Sequence, residues 1–170
     1  MIACGTVEQR PMHIRGITKA DYAFIVSVLD RWWGGPSREL AHPLFYYELG
    51  HEALIADDGG EVAGFLLGFH ARSHDGSSFH EGDARPIAYI HLVGIHPDHR
   101  RRGVGKLLYE TFTERARAAG AVRLKAITNV GNEGSIDFHR ALGFDVVEDP
   151  DYAGTSRARI VFTKELFLPA

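Results

Sequence analysis

The sequence predicts a single-domain α/β fold in which most strands are antiparallel. Three observations carry this prediction. Segments with strand-like character alternate along the chain with segments of helical periodicity. A strand, a glycine-containing loop and an amphipathic helix follow one another between Ile87 and Phe112. The chain has 170 residues, of which 45% are hydrophobic, and a chain of this length buries about 70% of its unfolded surface, enough for one core.

The first predicted elements are a strand and a helix. Residues 13–17 form the strand. Thr18 and Asp21 resemble a capping box, with Asp in place of the usual Glu, and the apolar residues that follow recur at helical spacing. The Gly-Gly-Pro sequence that follows Trp33 ends this helix. Residues 1–12 carry no packing signal, so they are predicted to be a flexible leader to a domain that covers residues 13–170.

A weaker helix and a hairpin come next. Residues 38–49 carry apolar side chains at helical spacing. Strands at residues 53–56 and 62–69 flank an Asp-Asp-Gly-Gly turn, which is typical of a hairpin. Residues 71–86 are rich in Ser, Gly, Asp and His without periodicity, and are predicted to be a surface loop.

The most informative segment is the glycine loop between the strand at residues 87–95 and the helix that begins at Lys106. Gly103 and Gly105 lack Cβ, so the backbone N–H groups can approach a ligand at a helix N-terminus. Three consecutive arginines precede them and supply donors for phosphate oxygens. The spacing excludes a Walker loop and a dinucleotide fingerprint, since Leu108 stands where the fingerprint needs its third glycine.

The last predicted elements are a strand at residues 122–128, a helix at residues 132–142 and a closing strand pair. The paired strands are residues 144–148 and 157–163. Gly143 provides the left-handed position that ends the helix.

Two motifs together resemble the GCN5-related N-acetyltransferase (GNAT) superfamily. The Arg-x-x-Gly-x-Gly pattern that begins at Arg100 is similar to its acyl-CoA pyrophosphate loop. About thirty residues later, Asn132, Ser135 and His139 stand where the superfamily has an Asn, a small residue and an aromatic residue before a Gly-Phe pair. The resemblance covers about residues 64–144.

The resemblance implies a GNAT-like fold, a mixed and mostly antiparallel sheet that splays between strands 4 and 5, with helices on both faces. Strand 4 would be residues 89–95 and strand 5 residues 122–128. Backbone groups near Val93 and Ile95 would pair with the pantetheine amides of acetyl-CoA, and Gly94 between them suits a bulge or a close ligand approach.

Acetyl-CoA is the co-substrate that the resemblance implies. Its pyrophosphate would be bound by the N–H groups of Arg101 to Lys106, with charge from Arg100. Asn132 would contact the pantetheine arm from the other side of the cleft. The cofactor-binding residues expected on this basis are Val93, Ile95, Arg100, Arg101, Arg102, Gly103, Val104, Gly105, Lys106, Asn132 and Ser135.

The implied reaction is direct attack of a primary amine, on a small molecule or a peptide, on the acetyl thioester. A base must take a proton from the amine. The superfamily often places a Glu for this purpose where this chain has Tyr89. His91, on the same strand face, is the better base, because imidazole titrates near 6.5 and a tyrosine near 10. His139 stands where the superfamily has a Tyr that protonates departing CoA. The alternative for both histidines is a packing role.

The acceptor is expected between the first helices and the last hairpin. Trp32, Trp33 and Tyr152 would supply aromatic walls, and Asp151 a charge, for an amine cation. No metal is expected, because His70, His74 and His80 lie in a loop without the acidic or thiol ligands of a familiar spacing.

Composition narrows the functional classes. The formal charge of −3 argues against a nucleic-acid-binding domain, which is one alternative, and the single cysteine excludes an intrachain disulfide. No secretory signal or transmembrane run is present in the sequence, so a cytoplasmic protein without a membrane partner is expected. A non-catalytic acyl-CoA-binding sensor or interaction module is the other alternative. A homodimer would be compatible with the resemblance.

Overall fold

The computed structural model describes residues 12–73 and 84–166. Within them, seven strands form one sheet in the order β1-β2-β3-β4-β5-β7-β6. The strands are β1 His13–Arg15, β2 Leu54–Asp58, β3 Glu61–Ser73, β4 Arg85–Ile95, β5 Arg123–Thr128, β6 Asp145–Asp149 and β7 Arg159–Glu165. The helices are α1 Lys19–Trp33, α2 Leu44–Tyr47, α3 Val104–Ala118 and α4 Glu133–Ala141. The predicted leader, residues 1–12, lies outside the described residues except for Met12, which packs against the core.

The sheet opens between β4 and β5, as the fold prediction requires. These strands form a parallel pair, whereas the other neighbouring strands pair antiparallel. The parallel pairing runs only from Ile87 with Arg123 to Ile90 with Ala126. Beyond these positions β4 continues to Ile95 without pairing to β5. The backbone groups of this half of β4 on the β5 side are therefore free to meet a ligand, and the predicted fold class is confirmed.

Helices cover both faces of the sheet. On one face, α1 and α2 pack on strands β2 to β4, and the buried side chains include Ile25, Leu29, Phe45, Ile55, Phe65 and Leu92. On the other face, α3 and α4 pack on a wider part of the sheet, and the buried side chains include Leu108, Phe112, Ile136, Leu66, Leu124 and Phe162. The alternation of apolar side chains along the strands supplies both cores.

A charged network fixes the start of α1 to the edge of the sheet. The predicted capping box is present, with Thr18 and Asp21 bonded reciprocally. Arg15 in β1 donates to Asp21 at 2.6 Å and to Asp57 at 2.7 Å. Burial tends to raise the pKa of Asp21, but hydrogen bonds from Arg15 and Thr18 outweigh it and hold that pKa below its ordinary value. The same arginine lowers the pKa of Asp57.

Two predicted elements differ from the structure. Residues 38–49 do not form one helix but a 3₁₀ turn at Arg38–Leu40 and the short α2. Pro43 separates them, because the residue before a proline is disfavoured in the helical region. The predicted loop at residues 71–86 is shorter, since Arg72 pairs with Pro86 and extends the β3–β4 ladder. Residues 74–83 lie outside the described part of the chain.

The β-bulge of β4 lies at His91 and not at Gly94. Leu67 pairs with Leu92 while Gly68 pairs with Ile90, so His91 is the extra residue. Gly94 has a different reason to be glycine, because a Cβ there would lie 2.4 Å from the Phe65 ring.

Candidate active site

A cavity of about 690 Å³ lies where β4 and β5 diverge. Its walls are the unpaired half of β4, the end of β5, the loop before α3, and one side each of α3 and α4. The predicted site residues that line it are Trp33, His91, Val93, Ile95, Arg100, Arg101, Gly103, Val104, Gly105, Lys106, Asn132, Ser135 and His139. The predicted site residues that do not are Trp32, Tyr89, Arg102, Asp151 and Tyr152.

The N-terminus of α3 presents backbone donors to this cavity. Arg101 and Gly103 both have positive φ, 59° and 83°, which turns successive N–H groups toward one side of the loop. The first intrahelical bond runs from the Leu107 N–H to the Gly103 carbonyl at 3.0 Å, so the preceding N–H groups have no helical acceptor. No side chain caps this end of the helix. The loop can therefore accept an anionic group such as a pyrophosphate.

Arg100 ties this loop to the rest of the domain. Its guanidinium donates to the Trp32 carbonyl at 2.7 Å and, through Nε, to the Ile95 carbonyl at 3.4 Å. It thereby joins the end of α1 to the end of β4. Arg100 also lines the cavity, so its charge lies beside the uncapped α3 N-terminus.

The start of α4 forms the cavity wall opposite the α3 loop. Asn132 is its N-cap, and its Oδ1 accepts from the Ser135 N–H at 3.3 Å. The Asn132 Nδ2 donates to the Thr128 hydroxyl at 2.9 Å, which fixes the amide to the end of β5. Asn132 and Ser135 thus line the cavity from a position set by both elements.

His91 is oriented for proton acceptance. Its Nε2 lies 2.8 Å from the Leu40 carbonyl oxygen, which can only accept, so Nε2 carries the proton in the neutral ring. The imidazole ring stacks on the Phe45 ring, with 4.4 Å between the two ring centroids. The remaining nitrogen, Nδ1, has no hydrogen-bond partner among the described residues. Burial lowers the pKa of His91, opposed in part by the bond to Leu40, so the ring is neutral near pH 7.

Tyr89 is less suited to act as a base. Burial, with a contribution from Tyr152, raises the pKa of its hydroxyl to about 12. The Tyr89 ring packs against Phe69, with 5.2 Å between the ring centroids, and lies on the same face of the sheet as His91.

His139 is paired with a tyrosine that the sequence did not single out. His139 is 5% exposed, and its Nδ1 lies 2.8 Å from the Ser135 carbonyl, so Nδ1 carries the proton. Nε2 then accepts from the Tyr109 hydroxyl at 2.9 Å. The ring also stacks on Phe162 at 3.8 Å. Burial lowers the pKa of His139 and raises that of Tyr109, so both are neutral in the resting site.

We expect Tyr109→Phe to lower the free energy of unfolding by about 1–3 kcal/mol, because it leaves the buried Nε2 of His139 without a donor. Chemical denaturation of the two proteins measures this difference. Tyr47→Phe is the matched control, since Tyr47 is 62% exposed, and it should change stability by less than about 0.5 kcal/mol. Equal effects of the two substitutions would show that the pair contributes no net stability.

The predicted acceptor residues do not converge. Trp33 is 45% exposed at the cavity rim, but Trp32 is 6% exposed and stacks on Phe65 in the core. The helical turn places adjacent tryptophans on different faces, so the expectation for Trp32 does not fit the structure. The Asp151 carboxylate accepts from the Ser156 N–H at 2.7 Å. Tyr152 lies under the Lys125 ammonium, 5.0 Å from its ring centroid.

Sequence reasoning missed Tyr109 and His99, which also line the cavity. Tyr109 lies on the apolar stripe of α3, so its helical spacing indicates a core residue and nothing marks its hydroxyl as paired. His99 is 7% exposed and its Nε2 lies 3.1 Å from Asp58. That contact joins residues 41 positions apart in the chain, and no local pattern could reveal it.

The described residues contain neither a candidate metal cluster nor a helix that could span a membrane. Residues 12–73 and 84–166 contain no cluster of three or more His, Cys, Asp or Glu side chains that could hold a metal ion. His74 and His80 lie outside these ranges. Among the helices of the same residues, none is long and apolar enough to cross a membrane.

A β4–β5 cleft with an uncapped helix N-terminus on one side has the features expected of an acyl-CoA-dependent transferase. The model of the Acetyltransferase (GNAT) family matches residues 22–144. The chain belongs to this family and is an N-acetyltransferase that uses acetyl-CoA as co-substrate.

Two curated relatives and one solved structure illustrate the similarity. The L-methionine sulfoximine/L-methionine sulfone acetyltransferase of Salmonella typhimurium is 28% identical over 87% of this chain and 88% of its own length. The L-amino acid N-acyltransferase MnaT of Escherichia coli is 27% identical over the same shares. The phosphinothricin acetyltransferase of Sinorhizobium meliloti, solved with acetyl-CoA, is 21% identical with a TM-score of 0.66, covering 92% of this chain and 89% of that one.

Proposed function

We propose that this enzyme transfers the acetyl group of acetyl-CoA to a primary amine of a small molecule or peptide by direct attack on the thioester. The observation that carries the proposal is that His91 and the backbone donors of α3 line the same cavity. A free amino acid is the acceptor that the names of the two relatives favour. A peptide N-terminus presents the same nucleophile and is the second candidate.

The described residues fit acetyl-CoA on both walls of the cleft. The N–H groups of Val104, Gly105 and Lys106 would bind the pyrophosphate, and Arg100 would add charge. The unpaired backbone near Val93 and Ile95 would pair with the pantetheine amides, because β5 has already left β4 at that point. Arg101, Gly103, Asn132 and Ser135 also belong to the expected set and line the cavity, whereas Arg102, its last member, does not.

His91 is the proposed general base. Its free Nδ1 would accept the amine proton, directly or through a water molecule, while the bond from Nε2 to the Leu40 carbonyl holds the ring in place. Tyr89 would remain protonated at neutral pH because of its raised pKa.

His139 is proposed to position Tyr109 and not to act as the acid. Its only ring proton is donated to the Ser135 carbonyl, and burial disfavours a second proton. The departing thiolate needs little help, since a thiol titrates near 8.5. This assignment differs from the acid role expected for His139 from the sequence.

The test of the proposed function is a thermal unfolding titration with acetyl-CoA, followed by an amine screen for turnover. A ligand at about 100 times its Kd adds about 2.7 kcal/mol, and each kcal/mol shifts the Tm of a domain of this size by about 2–4 °C. We therefore expect a rise of several degrees with acetyl-CoA and none with adenosine nucleotide controls.

Release of free CoA that depends on an added amine would support transfer. A thermal shift without turnover of any amine would instead favour the acyl-CoA-binding sensor. Absence of any shift at millimolar acetyl-CoA would contradict the proposal. The cytoplasmic location and the homodimer expected from the sequence stay predictions.

A further inference from the structure

Lys125 lies in β5 next to Tyr89, on the face of the sheet that carries His91. It pairs directly with Tyr89 across the parallel β4–β5 ladder. Its neighbours Leu124 and Ala126 are buried against α3 and α4, and successive side chains of a strand point to opposite faces. Lys125 therefore extends from the other face, on which Tyr89 and His91 lie.

The spacing brings Lys125 within reach of the reacting amine. Adjacent strands are about 4.8 Å apart, and residues two positions apart along a strand are separated by about 6.6 Å. In a regular ladder this spacing corresponds to a Cα separation of about 8 Å between Lys125 and His91, and the bulge at His91 shortens the path along β4. A flexible lysine side chain spans most of this separation, so its ammonium and the free Nδ1 of His91 can contact the same small molecule.

Lys125 differs from Arg123 and Lys106 in having no acidic partner among the described residues. Arg123, two positions earlier, pairs with Glu165 at 2.5 Å, and Lys106 pairs with Glu110 at 3.7 Å. No Asp or Glu of the described residues lies within ion-pair distance of Lys125. The Lys125 Nζ lies 5.0 Å from the ring centroid of Tyr152. Such a cation–π contact orients the ammonium group without neutralising its charge. The charge is thus available to an anionic group of the acceptor.

We propose that Lys125 binds the carboxylate of an α-amino acid acceptor whose amino group faces His91. The inference rests on the proposed function and narrows its substrate class. In an α-amino acid the amino group and the carboxylate are attached to the same carbon atom. This arrangement suits a base and a cation that lie on the same face of the sheet. A peptide N-terminus carries an amide at that position, and a simple amine carries nothing, so neither would satisfy Lys125.

The experiment compares matched acceptors and a charge-removing variant. The acceptors are the standard L-amino acids and L-methionine sulfone, the carboxamide of each, and dipeptides with the same first residue. For the amino acids that are acetylated, Lys125→Met should raise KM about tenfold, as expected for loss of one partly exposed charge-assisted hydrogen bond. It should leave kcat nearly unchanged and leave KM for the carboxamides unchanged.

Two further variants separate recognition from folding. Lys125→Arg keeps the charge and should retain most of the affinity for the amino acid. Lys19→Met is the matched control, because Lys19 is another lysine that lies over tyrosine rings, 4.3 Å from the Tyr47 ring centroid, and it should leave every KM unchanged. The Tm of each variant shows whether it is folded.

Three outcomes are decisive. A KM effect of Lys125→Met confined to carboxylate-bearing acceptors supports the inference. Equal use of amino acids, carboxamides and dipeptides, with no selective effect of the variant, overturns it while the proposed acetyltransfer stands. Failure of the wild-type enzyme to acetylate any amine overturns both.

Discussion

His91→Ala is expected to lower kcat/KM by about 100-fold or more, the range for removal of a general base. The physical reason is the arrangement of the ring, whose Nε2 proton is bonded to the Leu40 carbonyl and whose Nδ1 is left to accept a proton. Steady-state kinetics with saturating acetyl-CoA and a varied amine measure the loss.

The pH profile gives the assignment a sharper test. Because burial lowers the pKa of His91, the base is neutral at pH 7 and becomes protonated only below its ordinary value of 6.5. Wild-type kcat/KM should therefore fall as the pH drops through this lower range, and the variant should lose that inflection. An inflection that persists in the variant would rule out His91 as its source.

Two other variants control for structure. His91→Gln keeps an N–H donor for the Leu40 carbonyl but cannot titrate in this range, so it should be as slow as His91→Ala. His13→Ala removes an exposed histidine of β1 and should leave kcat/KM unchanged. Full activity of the glutamine variant would reduce His91 to a packing residue, the alternative that the sequence leaves open.

Gly103→Val is expected to weaken acetyl-CoA binding about 100-fold, as measured by KM and by the thermal shift. Gly103 has φ of 83°, in the left-handed region that a β-branched residue rarely occupies. Adopting another conformation would rotate the N–H groups that precede and begin α3 away from the cavity. Several charge-assisted hydrogen bonds to the pyrophosphate would then be lost together.

Gly103→Asn separates conformation from volume. Asparagine tolerates the left-handed region far better than valine, and a Cβ at Gly103 would meet nothing within 4 Å. The asparagine variant should therefore keep acetyl-CoA binding to within a fewfold change. If valine and asparagine weaken binding equally, the volume of the side chain near the ligand, and not the backbone conformation, is responsible.

Local sequence signals predicted most of the fold because they depend on neighbouring residues. The capping box at Thr18, the glycine loop and the strand that precedes it are present, although β4 begins at Arg85 and α3 at Val104, two residues earlier than predicted in each case. The helix predicted at residues 38–49 was wrong, since Pro43 interrupts it. The extension of β3 and β4 depends on cross-strand bonds between polar segments, such as Arg72 with Pro86, which no hydrophobic period reveals.

The sequence predicted the acetyl-CoA side of the site better than the acceptor side. The residues expected to bind acetyl-CoA come from contiguous motifs, and the structure brings almost all of them to one cavity. The acceptor residues come from distant segments, and there the sequence placed Trp32 at a surface that it does not reach. The helical spacing from Ile25 and Leu29 does place Trp32 on the buried stripe of α1, and this local signal was not applied to the tryptophan pair.

By itself the sequence determined the order of elements, the glycine loop with its donors, and the family, because each is encoded in consecutive residues. Only the tertiary structure decided which nitrogen of His91 is free and which hydroxyl donates to Nε2 of His139. The carbonyl of Leu40 lies 51 positions from His91, and the hydroxyl of Tyr109 lies 30 positions from His139. Proton positions follow from such contacts, which exist only once the chain is folded.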